Sequence, residues 1–344
     1  LEPVVYPSPE MELALARTLG VPIFQEQVMQ VAILGAGFTP GEADQLRRAM
    51  AAWKRKGGLE QYYQRIVHGM LDRGYTLEFA EAIFSQIQGF GEYGFPESHA
   101  ASFALLAYAS SWMKCHEPAA FLCALLNSQP MGFYSPSQLV QDAQRHGIEV
   151  RPVDIAISGW ESTLEELHDT TRQPAVRLGL SLQRGMSREA AARIEDARAI
   201  RPFENVADLA RRAGLDRGDL QVLAGANALR SLAGHRREAL WQAVGGVPDK
   251  DLLRPTTIDE EMPVLAAPSE GDEIVGDYRA QGLTLGRHPV ALLRKQLLAQ
   301  RFMPSSVLNE YADGQLARGC GLVTVRQRPG TAKGVLFLTL EDET

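Results

Sequence analysis

From residue 9 to residue 150 the sequence repeats one pattern: apolar side chains three and four residues apart, each run closed by Gly or Pro. "MELALARTLG", "FQEQVMQVAILGAG", "GEADQLRRAMAAW", "LEQYYQRIVHGMLDRG" and "LEFAEAIFSQIQGFG" show it in turn. That spacing places the apolar side chains of each run on one face of a helix, and Gly and Pro are the expected stops. "PSQLVQDAQRHGIEVRPVDI" adds a helix ending near Gly147 and then an extended segment. Such a chain folds as a mainly α protein.

Composition sets bounds on function. With 344 residues, 45% hydrophobic and 22% charged, the chain is long enough for two or three ordinary domains. Its net charge of −7 confines any nucleic-acid surface to a local patch. The three cysteines form no C-x-x-C pair, which fits a reducing compartment. Cys115 and His116 are sequence neighbours, so on a helix they point in different directions, and no metal site is expected. The first twenty residues lack a basic n-region and an apolar h-region. Residues 100–113 are apolar, but a membrane span needs about 20 residues. A buried core helix and a cytoplasmic protein are therefore expected.

The charge pattern changes along the chain. Residues 156–176 are polar and turn-rich, with a short strand in "AVRLGL". Residues 177–240 hold twelve Arg against eight Asp and Glu. Residues 241–290 reverse this, with four Lys and Arg against nine Asp and Glu. Their "VPDKDLLRPTTIDEEMPVLAAPSEGDE" is Pro-rich and without period, and reads as a linker. A helix-turn segment follows, then strand-like runs "CGLVTVRQR" and "GVLFLTLED" around a Pro-Gly turn. These strands have no visible partners, so a fragment is expected.

"VAILGAGFTPGEADQLRRAM" imitates a dinucleotide-binding turn. That reading needs a strand before the glycines and a second strand ending in an acid about 20 residues on. Gln25, Glu26, Gln27 and Gln30 instead suit an amphipathic helix, and "WKRKGGLEQYY" is no strand. Gly35 and Gly37 read as a helix stop, with Thr39 capping the next helix and Pro40 in its first turn.

Two constellations carry chemistry. Arg47, Arg48, Lys54, Arg55 and Lys56, with Tyr62 and Tyr63 behind them, can grip phosphate through bidentate guanidinium bonds or form a solvated helix face. In "GEYGFPESHAASFALLAYASSWMKCHEPAAFLCALLNS", Gly91, Gly94 and Pro96 shape a turn that carries Tyr93 and Phe95. Ser98 can cap the apolar helix beyond, with His99 in its first turn. The unpaired amides there suit a phosphate, and Tyr93 can stack on a base. A buried tyrosine and a structural histidine are the alternative.

"VRLGLSLQRGMSREAAARIEDARAIRPFENVADLARR" has the form of a helix-hairpin-helix: Gly185, Met186 and Ser187 make the hairpin, and a helix begins at Arg188. Backbone amides at such hairpins contact DNA phosphates without reading bases. Ser187 stands where a second hairpin glycine is usual. "LDRGDLQVLAGANALRSLAGHRREAL" repeats the theme with Gly225.

Taken in order, "FQEQVMQ", "LRRAM", the Tyr93–His99 motif, "VRPVDI" and the Gly185 hairpin resemble the bacterial C-family DNA polymerases, the DNA polymerase III alpha-subunit family. "NSQPMGFYSPSQLVQDAQRHGIEVRPVDI" looks more like the error-prone, damage-inducible branch than the replicative subunit. The replicative branch usually has a Lys-rich tract after "RRAM" and Asn-Lys in the central motif, where this sequence has "AAWKRKGG" and Pro96-Glu97.

The resemblance implies a mainly α chain: a fingers domain (1–172), a tandem helix-hairpin-helix domain (173–245), an acidic linker and helical segment (246–300), and the start of an all-β OB-fold (301–344). It implies that Tyr93 faces the nascent base pair, that His99 lies near the triphosphate and that Arg47 and Arg48 approach phosphates. DNA would be held at Arg184, Gly185, Met186, Ser187, Arg188 and Gly225. The family's PHP domain and its palm, whose aspartates bind two Mg²⁺, would lie upstream, so no catalytic residue is expected here and the fragment alone should not polymerise DNA. Implied partners are primer-template DNA, dNTP, accessory mutagenesis proteins and, through them, the sliding clamp, with no membrane. A replicative subunit, or a non-catalytic DNA-binding module, is the alternative.

Overall fold

A computed structural model of the chain describes residues 4–56, 60–90, 96–132, 134–167, 173–245, 263–329 and 334–344. It divides into two units, residues 1–111 and 112–344. The first holds α1 (Pro9–Leu15), α2 (Gln25–Ala36), α3 (Pro40–Lys56), α4 (Glu60–Leu71) and α5 (Leu77–Phe90). Met11, Leu15, Leu46, Met50, Ile66 and Met70 share one core, each almost wholly removed from water. The buried amide of Gln27 ties α2 to α1: its Oε1 accepts from the N–H of Ile23 and Phe24, and its Nε2 donates to Ala14 O and Thr18 Oγ1. Every buried polar atom of that side chain thus has a partner.

The dinucleotide look-alike is a helix stop. Gly37 caps α2 in the left-handed region at φ 68°. Thr39 then caps α3 reciprocally: its N–H donates to Glu42 Oε2 at 2.7 Å, and Glu42 N–H donates to Thr39 Oγ1 at 3.3 Å. Gly69 lets α4 pass close to α2, since a Cβ there would lie 2.2 Å from the carbonyl oxygen of Ala36.

One expectation fails in the apolar stretch. It forms α6 (Glu97–His116), but no residue of this helix is buried; Phe103, Leu105, Leu106 and Tyr108 are all more than half exposed. Apolar character states that a helix needs cover, not which segment supplies it. Among the described residues no element packs broadly against α6.

In the second unit α7 (Pro118–Asn127) and α8 (Pro136–Arg145) precede a small sheet of β1 (Val150–Arg151), β2 (Thr163–Glu165) and β3 (Ala175–Arg177). Its order is β1-β3-β2, with Val150 paired to Val176 in parallel and Leu164 to Val176 antiparallel. Arg177 is buried at its end, bound to both Glu165 oxygens and to Pro152 O.

Five helices follow: α9 (Arg188–Ile200), α10 (Val206–Ala213), α11 (Arg217–Gly225), α12 (Arg230–Ala233) and α13 (Arg236–Gly245). They close around Ile194, Leu209, Leu220, Leu223 and Leu229.

The acidic run does not stay a linker to its end. Ser269 caps α14 (Glu270–Gln281) in a capping box with Asp272, so Glu270, Asp272 and Glu273 sit in a first helical turn, where negative charge complements the helix dipole. Residues 246–262 lie outside the described set. Beyond α14 come α15 (Pro289–Ala299), α16 (Ser305–Leu308) and an antiparallel hairpin of β4 (Leu322–Gln327) and β5 (Phe337–Glu341), with a register shift between Val323 and Val325. Val323, Phe337, Leu338 and Leu340 on that hairpin are at least half exposed.

Candidate nucleic-acid interface

The phosphate-seeking residues of the first unit are present but engaged. Arg47 Nη2 lies 2.8 Å from Asp44 Oδ1, and Arg48 Nη2 lies 2.9 Å from Asp44 Oδ2, so one carboxylate one turn earlier on α3 holds both guanidiniums. Hydrogen bonding from Arg47, ahead of the charges of both arginines, holds the Asp44 carboxyl below its usual range. Ion pairs this exposed are weakened by water, so a polyphosphate can displace Asp44 readily. The side chains of Lys54, Arg55 and Lys56 lie outside the described residues.

His99 sits exposed in the first turn of α6, its ring 4.2 Å from that of Phe103. Tyr93 lies outside the described residues. Ser98 is not the cap: the helix begins at Glu97, and Ser98 contributes its backbone carbonyl, which accepts from Ser102 Oγ at 2.9 Å. The amide of Glu97 donates to the Glu26 carboxylate of α2 at 2.9 Å, and Arg17 pairs with the Glu97 side chain. A carboxylate therefore already stands at the helix end where the sequence suggests a phosphate.

The second unit carries a local repeat that the sequence half reveals. Gly185, Gly214 and Asn227 all have positive φ, at 90°, 59° and 58°. After each comes a buried residue (Met186, Leu215, Ala228), then a cap position (Ser187, Asp216, Leu229), then an arginine opening a helix: Arg188 on α9, Arg217 on α11, Arg230 on α12. Ser187 Oγ accepts from Ala190 N–H at 3.1 Å, and Asp216 Oδ1 from Asp219 N–H at 2.8 Å. The left-handed residue turns the chain, the buried one anchors it, and the arginine is left outward. Arg188, Arg217 and Arg230 are exposed and take no partner among the described residues.

Two predicted residues occupy other roles. Met186 is only 8% exposed, within the apolar core, and its amide donates to Gln183 O, so neither its side chain nor its N–H is offered to DNA. Gly225 is the last residue of α11 with a helical backbone; Asn227 makes the second hairpin's left-handed turn. Asn is the residue after Gly that best tolerates this conformation, which is the signal that could have found it.

Arg184 reaches across to α14, where its Nη1 donates to Tyr278 O and Arg279 O, capping that helix's C-terminus. The Gly185 hairpin sits against α11, where a Cβ on Gly185 would lie 3.2 Å from Val222 Cγ2.

Comparison with known proteins agrees with both halves of this picture. Residues 1–74 match the family described as bacterial DNA polymerase III alpha subunit finger domain, and residues 147–239 the helix-hairpin-helix motif. The chain is 64% identical over 344 residues to an error-prone DNA polymerase of Bordetella parapertussis, covering 100% of this chain and 33% of the relative. It is 65% identical over 345 residues to that of Burkholderia pseudomallei, covering 99% and 32%. For the enzyme of Alkalilimnicola ehrlichii the figures are 60% over 344 residues, covering 100% and 33%. The chain thus spans about a third of the length of the curated relatives it matches.

Proposed function

We propose that this chain, homologous over its whole length to a third of the error-prone DNA polymerases, is the part of such an enzyme that holds incoming nucleotide and duplex DNA. The whole protein then adds dNTPs to a primer 3′ end as a DNA-directed DNA polymerase acting in translesion synthesis and damage-induced mutagenesis. Residues 1–172 serve as fingers, 173–245 as a duplex clamp, 246–300 as a connecting segment and 301–344 as the start of an OB-fold. Its setting is the cytoplasm, with accessory mutagenesis proteins and, through them, the sliding clamp as partners.

The observation that carries this reading is the hairpin repeat. All three turns leave an arginine facing solvent with no partner among the described residues, and the turns before α9 and α11 add an exposed helix N-terminus; both features favour a backbone phosphate over a base edge. Duplex binding on this basis is indifferent to sequence and steeply dependent on salt.

In the fingers, Arg47 and Arg48 exchange Asp44 for the triphosphate, and His99 donates to it from the first turn of α6, while Tyr93 stacks against the new base pair. Displacing or rotating the Glu26 carboxylate is part of nucleotide entry, because two anions at one helix end repel. Polymerisation by two Mg²⁺ ions needs carboxylates held together. The family resemblance assigns those carboxylates to the palm of the whole enzyme.

Fluorescence anisotropy with the purified chain and a labelled duplex tests the clamp. Binding is expected for unrelated sequences alike, with affinity falling on a straight line in log salt. Failure to bind at 50 mM salt, or preference for one sequence, would contradict it.

A further inference from the structure

A recess of about 600 Å³ opens between α11, α13 and α14, lined by Arg184, Arg236, Arg237 and Arg279 with Gly225 at one side. Four arginines in one recess are not four free charges. Arg237 is bound to Asp272 at 3.1 Å and to Ala266 O. Arg236 is only 6% exposed and crosses to α14, where its Nη2 binds Asp277 Oδ1 at 2.5 Å and Glu273 Oε2 at 3.1 Å. Gly276 exists for this crossing, since a Cβ there would fall 1.4 Å from Arg236 Nη1.

Three features remain unanswered by the protein. The Nε of Arg236 is buried with no hydrogen-bond partner among the described residues. Arg279 is exposed and has none among the described residues, and Arg184 is bonded to carbonyl oxygens but to no carboxylate. Beside them the space at Gly225 is open, with nothing within 4 Å of where a Cβ would stand. Two guanidiniums without a counter-anion and an unsatisfied buried N–H donor describe the complement of a tetrahedral oxyanion.

We infer that this recess is a phosphate site, set apart from the hairpin turns, that grips a phosphodiester of the DNA backbone. The inference rests on the duplex-clamp reading. Its position supports DNA as the source of the phosphate, because Arg184 immediately precedes the Gly185 turn and the recess lies next to it along the same chain. An acidic peptide is the competing occupant.

The test compares Arg279→Gln and Gly225→Leu with the unmodified chain in duplex binding across a salt series. Arg279 has no partner among the described residues and Gly225 has open space, so both variants should keep the parental melting temperature. Loss of one phosphate contact lowers the slope of log affinity against log salt by about 0.9. We expect that change with Arg279→Gln, recovery with Arg279→Lys, and a several-fold weaker affinity with Gly225→Leu. Pyrophosphate at constant ionic strength should compete less well against Arg279→Gln than against the parent. If the parent binds duplex and Arg279→Gln keeps its slope, the recess does not hold a DNA phosphate. The same conclusion follows if that slope is kept while a labelled oligoglutamate binds the parent and not the variant. If the parent itself fails to bind duplex, the clamp reading falls first.

Discussion

Of the twelve arginines between residues 177 and 240, nine are bonded within the fold and three have no partner among the described residues. The bonded ones include Arg193, on the C-terminal carbonyl of Ala213; Arg198, on Ile155 O and Ser158 O; and Arg201, Arg211 and Arg212, all converging on Asp208. Asp208 is 3% exposed; burial raises its pKa, but the bonds from Arg212, Glu204 N–H and Arg211 outweigh this and lower it. Asp208→Ala should therefore destabilise the chain by about 3 kcal/mol, read in chemical denaturation, because it leaves the largely buried Arg212 without its carboxylate partner. By contrast Arg188→Gln and Arg230→Gln should leave stability unchanged and weaken duplex binding. Arg217→Gln should weaken it less, since the Asp216 and Asp219 carboxylates already stand beside that turn. The sequence makes the local excess of arginine plain. It cannot say which arginines are free, because Asp208, the carbonyls and α14 reach them only through the fold.

At the level of elements, stops were the most legible feature, since Gly and Pro change what the backbone itself can do. Gly37 and Gly214 both end helices in the left-handed region, and Pro40 opens α3 as expected. The turn at Asn227 was missed because Gly225 is the more conspicuous residue two positions earlier. Gly69→Ala should cost about 2 kcal/mol in thermal or denaturant unfolding, because the added methyl meets a backbone carbonyl of α2 that cannot rotate away. The opposite kind of limit applies to α6, whose composition demanded burial while its surroundings in the chain leave it exposed. Patterning describes the solvent a helix prefers and carries no information about which segment provides it.

Across the whole chain, a second class of contact ties distant segments together at their ends. The Asp342 carboxylate accepts from Ser305 N–H and Oγ and from Thr344 N–H and Oγ1. Burial raises its pKa, but those bonds dominate and lower it to about 2. Because the folded value is depressed, this stabilisation is complete above the unfolded aspartate value near 4 and is lost as pH falls through about 2. Asp342→Asn should therefore lower the melting temperature at pH 6 and make little difference at pH 2. The succession of helical finger, hairpins and strands was readable from motif order, whereas the tie between residues 305 and 342 was not, since it joins groups far apart in sequence. What the chain does as a whole turns on the hairpins. The most direct measurement is the salt slope of duplex binding for the Arg188→Gln, Arg230→Gln double variant. A fall of about 1.8 with an unchanged melting temperature is predicted from two lost phosphate contacts, and a parental slope would contradict the account.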